Sequence, residues 1–402
     1  MITRRNLLTI GEAALALGAL PARAASATGI VTDELAPLDA MMRAFLAERD
    51  ITCAQLAVAK AGRLVLARGY GSYGPANTAV QPTSLFRVAS LSKHITAAAI
   101  MRLVQEGRLR LSDSVADLLG LSLAADPRLV TVSVRRLMQH LGGWDKTAAG
   151  RDYIFSDRDI AAELGVPLPI GLGHILRYAT SRPLDHDPGT RYSYNNYNFL
   201  LLGRIIEKVS GLDYATYVKN KVMAPLGVTR PRLTTNPGTG EVPYLSKYTT
   251  TTVLDESGKV VPYPYGGTNY ANCDSSGGWA VSAVDLVRLT RIFDGTTSVL
   301  TPASVSALLA KPETGAFESG SWYSGGWFVR SVGSGLNLWH AGSMPGAFAV
   351  LSRTHNGIVL CATFNRREES GSPDFDAFHD ELYDAAQAIK TWPAGDLSSQ
   401  YF

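Results

Sequence analysis

Cysteine is scarce. The 402 residues hold three, Cys53, Cys273 and Cys361, far apart and with no CxxC pair. This excludes a disulfide framework and a cysteine-built zinc site, and favours three small buried residues, with one disulfide left open. Long apolar runs are missing too: none approaches the roughly 20 residues that cross a bilayer, so no transmembrane segment is expected. Neither sign of charge dominates. Lys plus Arg number 38 against 35 Asp plus Glu, a net +3, without the clustered basic excess of a nucleic-acid binder, so no nucleic-acid partner is expected. The seven histidines contain no HExxH and no other pair at helical spacing, which implies no metal. There is no internal repeat and no low-complexity tract. "GYGSYG" at 69–74 matches the dinucleotide pattern GxGxxG, but Pro75 follows instead of a helix and no acidic residue appears in the next thirty. It reads as a strand-ending turn.

What is present begins with a leader-like segment. Arg4 and Arg5 precede an apolar stretch from Leu7 to Leu20, followed by small residues around Ala22 and Ala24. That is the anatomy of a cleaved export signal of twin-arginine type over 1–27, and it predicts an exported, periplasmic protein. Glu12 is the one residue out of pattern, and an amphipathic N-terminal helix is the other reading.

Residues 35–48 have helical spacing and lead into two apolar runs, "AQLAVAK" and "RLVLARGYG", separated by Ala-Gly, which predicts a helix and then a hairpin. Helical patterns continue from Ser90 to Gly107 and through "GRLRLSDSVADLLG" and "TVSVRRLMQHLGGW". Between 231 and 280 the composition shifts to Pro, Gly, Thr and Tyr, a stretch suited to loops around a site. "SAVDLVRLTRIF" restarts a helix, with Ser282 and Asp285 spaced as a capping box. Beyond 325, "GGWFVRSV", "LNLWHAG", "AFAVLSR" and "GIVLCATF" read as successive antiparallel strands, and "DFDAFHDELYDAAQAIK" as a covering helix. The fold class is therefore α+β: an antiparallel sheet with flanking helices built from both termini, and an inserted, mostly helical lobe. The expected division is an α/β lobe over 28–110 and 320–402, with the helical lobe and its loops over 111–319.

One short motif carries chemistry. "FRVASLSKHITAAAI" places Ser90 and Lys93 three apart at a helix start, so the amine lies one turn on, on the same face as the hydroxyl. The helix N-terminus favours negative charge developing at Ser90. Lysine acts as a base only where burial or cationic neighbours hold it partly neutral. Residues 51–105 contain no Asp or Glu but do contain Lys60, Arg63, Arg68, Arg87 and Arg102. The other reading of Ser90 is a polar residue at a helix start, since one Ser-x-x-Lys is expected by chance in a chain this long.

"FRVASLSK" resembles the first motif of the penicillin-recognising serine hydrolases: class C β-lactamases, D,D-carboxypeptidases, D-aminopeptidases and family VIII esterases. The resemblance runs along nearly all of the chain beyond the leader. The family's Tyr-x-Asn motif has two candidates, Tyr194/Asn196 in "PGTRYSYNNYNFLLLG" and Tyr270/Asn272 in "TNYANCDSSGG". The Pro-Gly turn before the first and the helix after it favour Tyr194. The third motif is matched by His340, Ala341 and Gly342 in "LWHAGSMPG", while His140 in "MQHLGGW" aligns with a structural turn of the family. The resemblance implies catalytic Ser90, Lys93 and Tyr194, and substrate binding by Asn196, His340, Gly342 and Ser343. The Ser90 and Ser343 amides would form an oxyanion hole.

Two departures bear on substrate. There is no Lys-Thr-Gly, and a histidine there offers less fixed positive charge for a carboxylate, which counts against a dedicated β-lactamase. Ser-Asp-Asn is absent as well. The resemblance implies a cofactor-free acyl-enzyme hydrolase of small molecules or short peptides, with amidase or peptidase action on small, non-standard peptides favoured. The serine peptidases of linearised microcystin are a narrower likeness. A family VIII-type esterase, a β-lactamase and a non-catalytic penicillin- or peptide-binding domain are the alternatives. Tyr263, Tyr265, Tyr270, Trp279, Trp322, Tyr323 and Trp327 either line an apolar substrate pocket or pack in the core.

Overall fold

The computed structural model describes residues 26–371 and 374–402; most of the expected leader lies outside them. Among the described residues the main sheet has nine strands and pairs antiparallel throughout. From the N-terminal part come β1 (Ala27–Ile30), β2 (Cys53–Lys60) and β3 (Arg63–Tyr73). The C-terminal part supplies β4 (Ser321–Ser324), β5 (Trp327–Val332), β6 (Gly335–Met344), β7 (Ala347–Arg353) and β8 (Ile358–Phe364). The spatial order is β1-β3-β2-β8-β7-β6-β5-β4, with a two-residue strand, Thr78–Ala79, added on β3. The two ends of the chain thus meet where β2 pairs β8. Ala61 and Gly62, both at positive φ, make the β2–β3 turn, which matches the right-handed twist of the strands it joins.

Strand periodicity sends alternate side chains to two cores. Ala54, Leu56 and Val58 of β2, with Leu360, Ala362 and Phe364 of β8, pack on Met42 and Phe45 of α1 (Ala36–Glu48). Phe378 and Leu382 join the same core from the C-terminal helix Ala377–Ala388. Ala57, Ala59, Val359 and Cys361 face the opposite core, shared with α2 (Ser92–Gln105), α3 (Asn196–Ser210) and α4 (Ala283–Leu289). Both faces of the sheet are covered, which is why its strands read as nearly unbroken apolar runs.

Local signals account for the helix ends. The Asn195 side chain accepts from the Tyr197 amide at 2.9 Å to start α3, and Gly211 at φ +75° stops it. Ser282 caps α4 through the Asp285 amide. The helices expected in "GRLRLSDSVADLLG" and "TVSVRRLMQHLGGW" are shorter than their patterns, Val115–Leu119 and Val134–Met138. Gly120 at φ +64° ends the first, and His140 at φ +55° turns the chain after the second.

Segment 231–280 holds short strands, 3-10 turns and one four-residue helix, Asp274–Gly277. A buried arginine anchors it. Arg87 Nε donates to Glu241 (3.0 Å) and Thr234 (3.1 Å), and its Nη1 donates to the Pro264 carbonyl and the Tyr270 hydroxyl, both at 2.8 Å. The guanidinium is stacked between the Tyr244 and Tyr270 rings. This ion pair lies three residues before Ser90, so it fastens the loop segment to the turn that carries the serine.

Candidate active site

Ser90 sits in a single 3-10 turn, Ala89–Leu91, between the short strand Phe86–Arg87 and α2. Ala89, just before it, has φ +46°, a region that an alanine enters at a cost of about 1–3 kcal/mol. Strand β6 crosses close to this turn. A Cβ on Gly342 would lie 2.1 Å from the Val88 carbonyl oxygen and 3.2 Å from the Ser90 nitrogen, so only glycine lets the strand come this near. Ser90 is half-buried, whereas Lys93 behind it is fully buried.

Four sequence-predicted residues converge here. The Tyr194 hydroxyl donates to Ser90 Oγ at 2.8 Å, and Lys93 Nζ lies 3.0 Å from the same oxygen. Lys93 Nζ also donates to Asn196 Oδ1 at 2.8 Å and to the Ser276 carbonyl at 2.6 Å. A neutral lysine has two N–H groups and one lone pair. The carbonyl and the amide oxygen use both N–H groups, so the lone pair is left for the Ser90 proton. Burial, opposed by the Asp152 charge and assisted by Lys146, pulls the Lys93 ammonium down to about 7. Burial pushes Tyr194 the other way, well above its ordinary value, so near neutral pH the phenol keeps its proton while the amine can release one.

Both histidines beside Tyr194 are held neutral by burial. The His140 ring packs tilted against the Tyr194 ring, with centroids 4.4 Å apart. Its Nδ1 faces the Asn195 amide and the Asn198 side chain, and burial holds it well below the usual imidazole range. It therefore supports the tyrosine from behind. His340 is only 4% exposed. Its Nδ1 faces the Ala341 carbonyl and its Nε2 faces the Tyr323 hydroxyl at 3.2 Å, an arrangement that makes Nδ1 the donor and Nε2 the acceptor. Burial brings His340 down to about 3. Its ring lies behind Tyr194, with centroids 6.0 Å apart, whereas Ala341 and Ser343 on the same strand are exposed. Tyr270, the other tyrosine of a Tyr-x-Asn pair, is committed to Arg87, and Asn272 Nδ2 donates to Asp157 and the Ile170 carbonyl.

Most of the aromatic cluster belongs to the core. Tyr270, Trp279, Tyr323 and Trp327 are at most 1% exposed and Trp322 is 5% exposed, while Tyr263 and Tyr265 are half-buried. The three cysteines are free and buried, as the spacing suggested. Among the described residues no helix is long and apolar enough to cross a membrane.

Sequence reasoning did not find Asp152, Lys146 or the Ser276 carbonyl. Asp152 Oδ2 accepts from Asn196 Nδ2 at 2.7 Å, and Lys146 Nζ lies 5.8 Å from the Tyr194 ring centroid. Neither belongs to a motif. The only signal was their place in the polar segment "DKTAAGRD" after the His140 turn.

A family model described as Beta-lactamase matches residues 38–385. Among curated relatives, Protein flp of Staphylococcus aureus (strain COL) is 28% identical over 203 residues, 50% of this chain and 38% of that protein. The chain thus matches less than half the length of these relatives. Among solved structures, the octameric penicillin-binding protein homologue from Pyrococcus abyssi aligns at TM-score 0.67 and 23% identity, covering 91% of this chain and 79% of that one. The D-amino acid amidase from Ochrobactrum anthropi SV3, complexed with L-phenylalanine, aligns at TM-score 0.67 and 21% identity, covering 90% and 100%. At such identities these two likenesses establish the fold.

Proposed function

The chain belongs to the beta-lactamase family of serine hydrolases, and from that premise we propose that it is an exported amidase or peptidase acting on small peptides through an acyl-enzyme on Ser90. The observation that carries this reading is the placement of one half-buried hydroxyl between a buried amine 3.0 Å away and a protonated phenol 2.8 Å away. Neutral Lys93 takes the Ser90 proton as Oγ attacks the substrate carbonyl. The Ser90 and Ser343 amides hold the oxyanion, and Asn196, with one amide hydrogen left over, orients the substrate. Tyr194 then passes a proton to the departing nitrogen. Lys93 then returns its proton to the Tyr194 oxygen, which leaves the amine neutral. Water enters, Lys93 takes a proton from it as the water oxygen attacks the acyl carbon, and that proton passes to Ser90 Oγ as the acid leaves.

The preference for amides rests on that last donor. An amine leaves only when its nitrogen is protonated, whereas an activated alkoxide needs less help, so a phenol held protonated beside Oγ suits C–N cleavage. The D-amino acid amidase with the same fold supports the choice. Small linearised cyclic peptides, including those of microcystin type, fall within this class. His340, neutral and turned inward, does not provide the fixed charge that a dedicated β-lactamase uses for its substrate carboxylate. In this scheme His340 and Gly342 act by shaping the strand beside Ser90.

A fluorophosphonate probe tests the reading on the wild-type protein and on Ser90→Ala, by intact mass and peptide mapping. One adduct on Ser90, absent from the variant, is expected, followed by turnover of D- or non-standard peptide amides ahead of matched esters. A folded wild-type protein that takes no adduct would leave Ser90 a helix-start serine in a ligand-binding relative. Faster turnover of esters than of amides would move the assignment to the esterase alternative.

A further inference from the structure

We propose that Asp152 is a positioning residue of this site: it fixes the Asn196 amide with its oxygen turned to Lys93, and its charge reaches the amine through that one side chain. The inference rests on the hydrolase reading of Ser90 and Lys93, and concerns what sets the state of the base.

Asn196 has one acceptor and one donor end, and the site makes opposite demands on them. Lys93 Nζ, at 2.8 Å, requires an oxygen; Asp152 Oδ2, at 2.7 Å, requires an N–H. Reversing the amide would set N–H against the amine and C=O against the carboxylate, two repulsive contacts in place of two hydrogen bonds. Asp152 thereby selects the orientation that keeps one Lys93 N–H occupied and leaves the lone pair to Ser90. The carboxylate is itself held. Its Oδ1 accepts from the Ile154 amide at 3.3 Å, and its carbonyl accepts from the Ser156 hydroxyl at 2.8 Å. The neighbouring cation, Arg151, is turned to Glu163, and among the described residues no ion pair engages Asp152. Its charge is therefore directed at the Asn196–Lys93 pair.

The other groups around Lys93 carry little charge near neutral pH. Tyr194, ahead of α3, and Cys273, within the loop segment, are pushed up by burial. His140 and His340 are pushed down by burial. Asp157 and Asp274 act on Cys273 rather than on the amine. Asp152 and Lys146, both on the segment between the His140 turn and the helix beginning at Asp157, act on Lys93 with opposite signs, the first raising and the second lowering its value.

The test uses the wild-type protein with Asp152→Asn and Asp152→Ser, each shown to fold by circular dichroism. The Lys93 midpoint is read directly from a pH titration of its ¹³Cε resonance, assigned with Lys93→Arg, and the fluorophosphonate labelling rate of Ser90 is followed over the same pH range. Without the carboxylate the midpoint should fall by about one unit. The acid limb of labelling should follow it downward, and the plateau rate should drop because the Asn196 amide is no longer held in one orientation. A midpoint that stays put or rises in a folded variant overturns the inference. A wild-type Ser90 that never labels sinks the hydrolase reading instead, and the resonance still decides the part played by Asp152.

Discussion

Replacing Lys93 with methionine separates the chemistry of the site from its burden on the fold. Folding takes the ammonium out of water and brings it from an ordinary 10.5 down to about 7. A lysine depressed on folding binds protons more readily in the unfolded chain, so stability rises with pH between those two values and is lowest below about 7. At 1.36 kcal/mol per unit, the burden is about 5 kcal/mol at pH 6 and about 2 kcal/mol at pH 9. Lys93→Met has no such group, although it leaves Asn196 Oδ1 and the Ser276 carbonyl unpaired, a loss of roughly 1–3 kcal/mol that does not change with pH. Urea denaturation of both proteins at pH 6 and pH 9 gives the comparison. The stability of the variant relative to wild type should move by about 2–3 kcal/mol across that interval, favouring the variant at the acid end. In parallel, wild-type Ser90 should label with a midpoint near 7, and the variant should not label above background. An offset between the two proteins that is the same at both pH values would show that Lys93 titrates alike in the folded and unfolded chain, and the case for a neutral base would fall with it.

Two further substitutions probe other parts of the arrangement. Tyr194→Phe removes the proton donor to the leaving group and leaves the ring packed against His140. Amide turnover should fall by about 10²–10⁴-fold, with a smaller loss on activated esters; equal losses on both would deny Tyr194 that role. Glu241→Ala leaves the Arg87 guanidinium buried without its carboxylate and should lower stability by about 3–5 kcal/mol in urea denaturation. Ser90 labelling should slow in the surviving folded fraction, because Arg87 ties segment 231–280 to the serine turn. Loss of stability with an unchanged labelling rate would confine the ion pair to a structural role.

Much of the fold was legible because its signals are local. Short apolar runs marked β2, β3 and β5 to β8, and Ala-Gly marked the β2–β3 turn. Ser282 marked a helix start. What the sequence hid depended on contacts made across the chain. The strands Ala27–Ile30 and Ser321–Ser324 are four residues each and exist because a neighbouring strand offers hydrogen bonds. The helical pattern through "TVSVRRLMQHLGGW" stopped early because His140 takes a left-handed conformation, which its ring contacts with Tyr194 and Phe199 accompany. The aromatic residues of the loops could not be assigned to pocket or core by composition, since a tryptophan suits both; burial resolved most of them toward the core.

The site divides along the same line. Ser90 and Lys93 are legible because one helical turn brings them together, so their meeting is written in a spacing of three. Tyr194 and Asn196 could be chosen over Tyr270 and Asn272 only through the turn before them and the helix after them. The structure supplies a physical reason for the difference: the second pair is spent on Arg87, Asp157 and Ile170, and has no hydroxyl or amide free for Ser90. Asp152 and the Ser276 carbonyl could not be found at all. A backbone carbonyl has no residue-type signature, and a lone aspartate in a polar loop looks like any solvated charge. Yet the Ser276 carbonyl, with Asn196, occupies the Lys93 N–H groups, and the Asp152 charge acts on the amine against its burial. A Ser-x-x-Lys spacing therefore brings a serine and a lysine together, while burial and the Asp152 charge, 59 positions further along the chain, tune the basicity of that lysine, and both come to it only through folding.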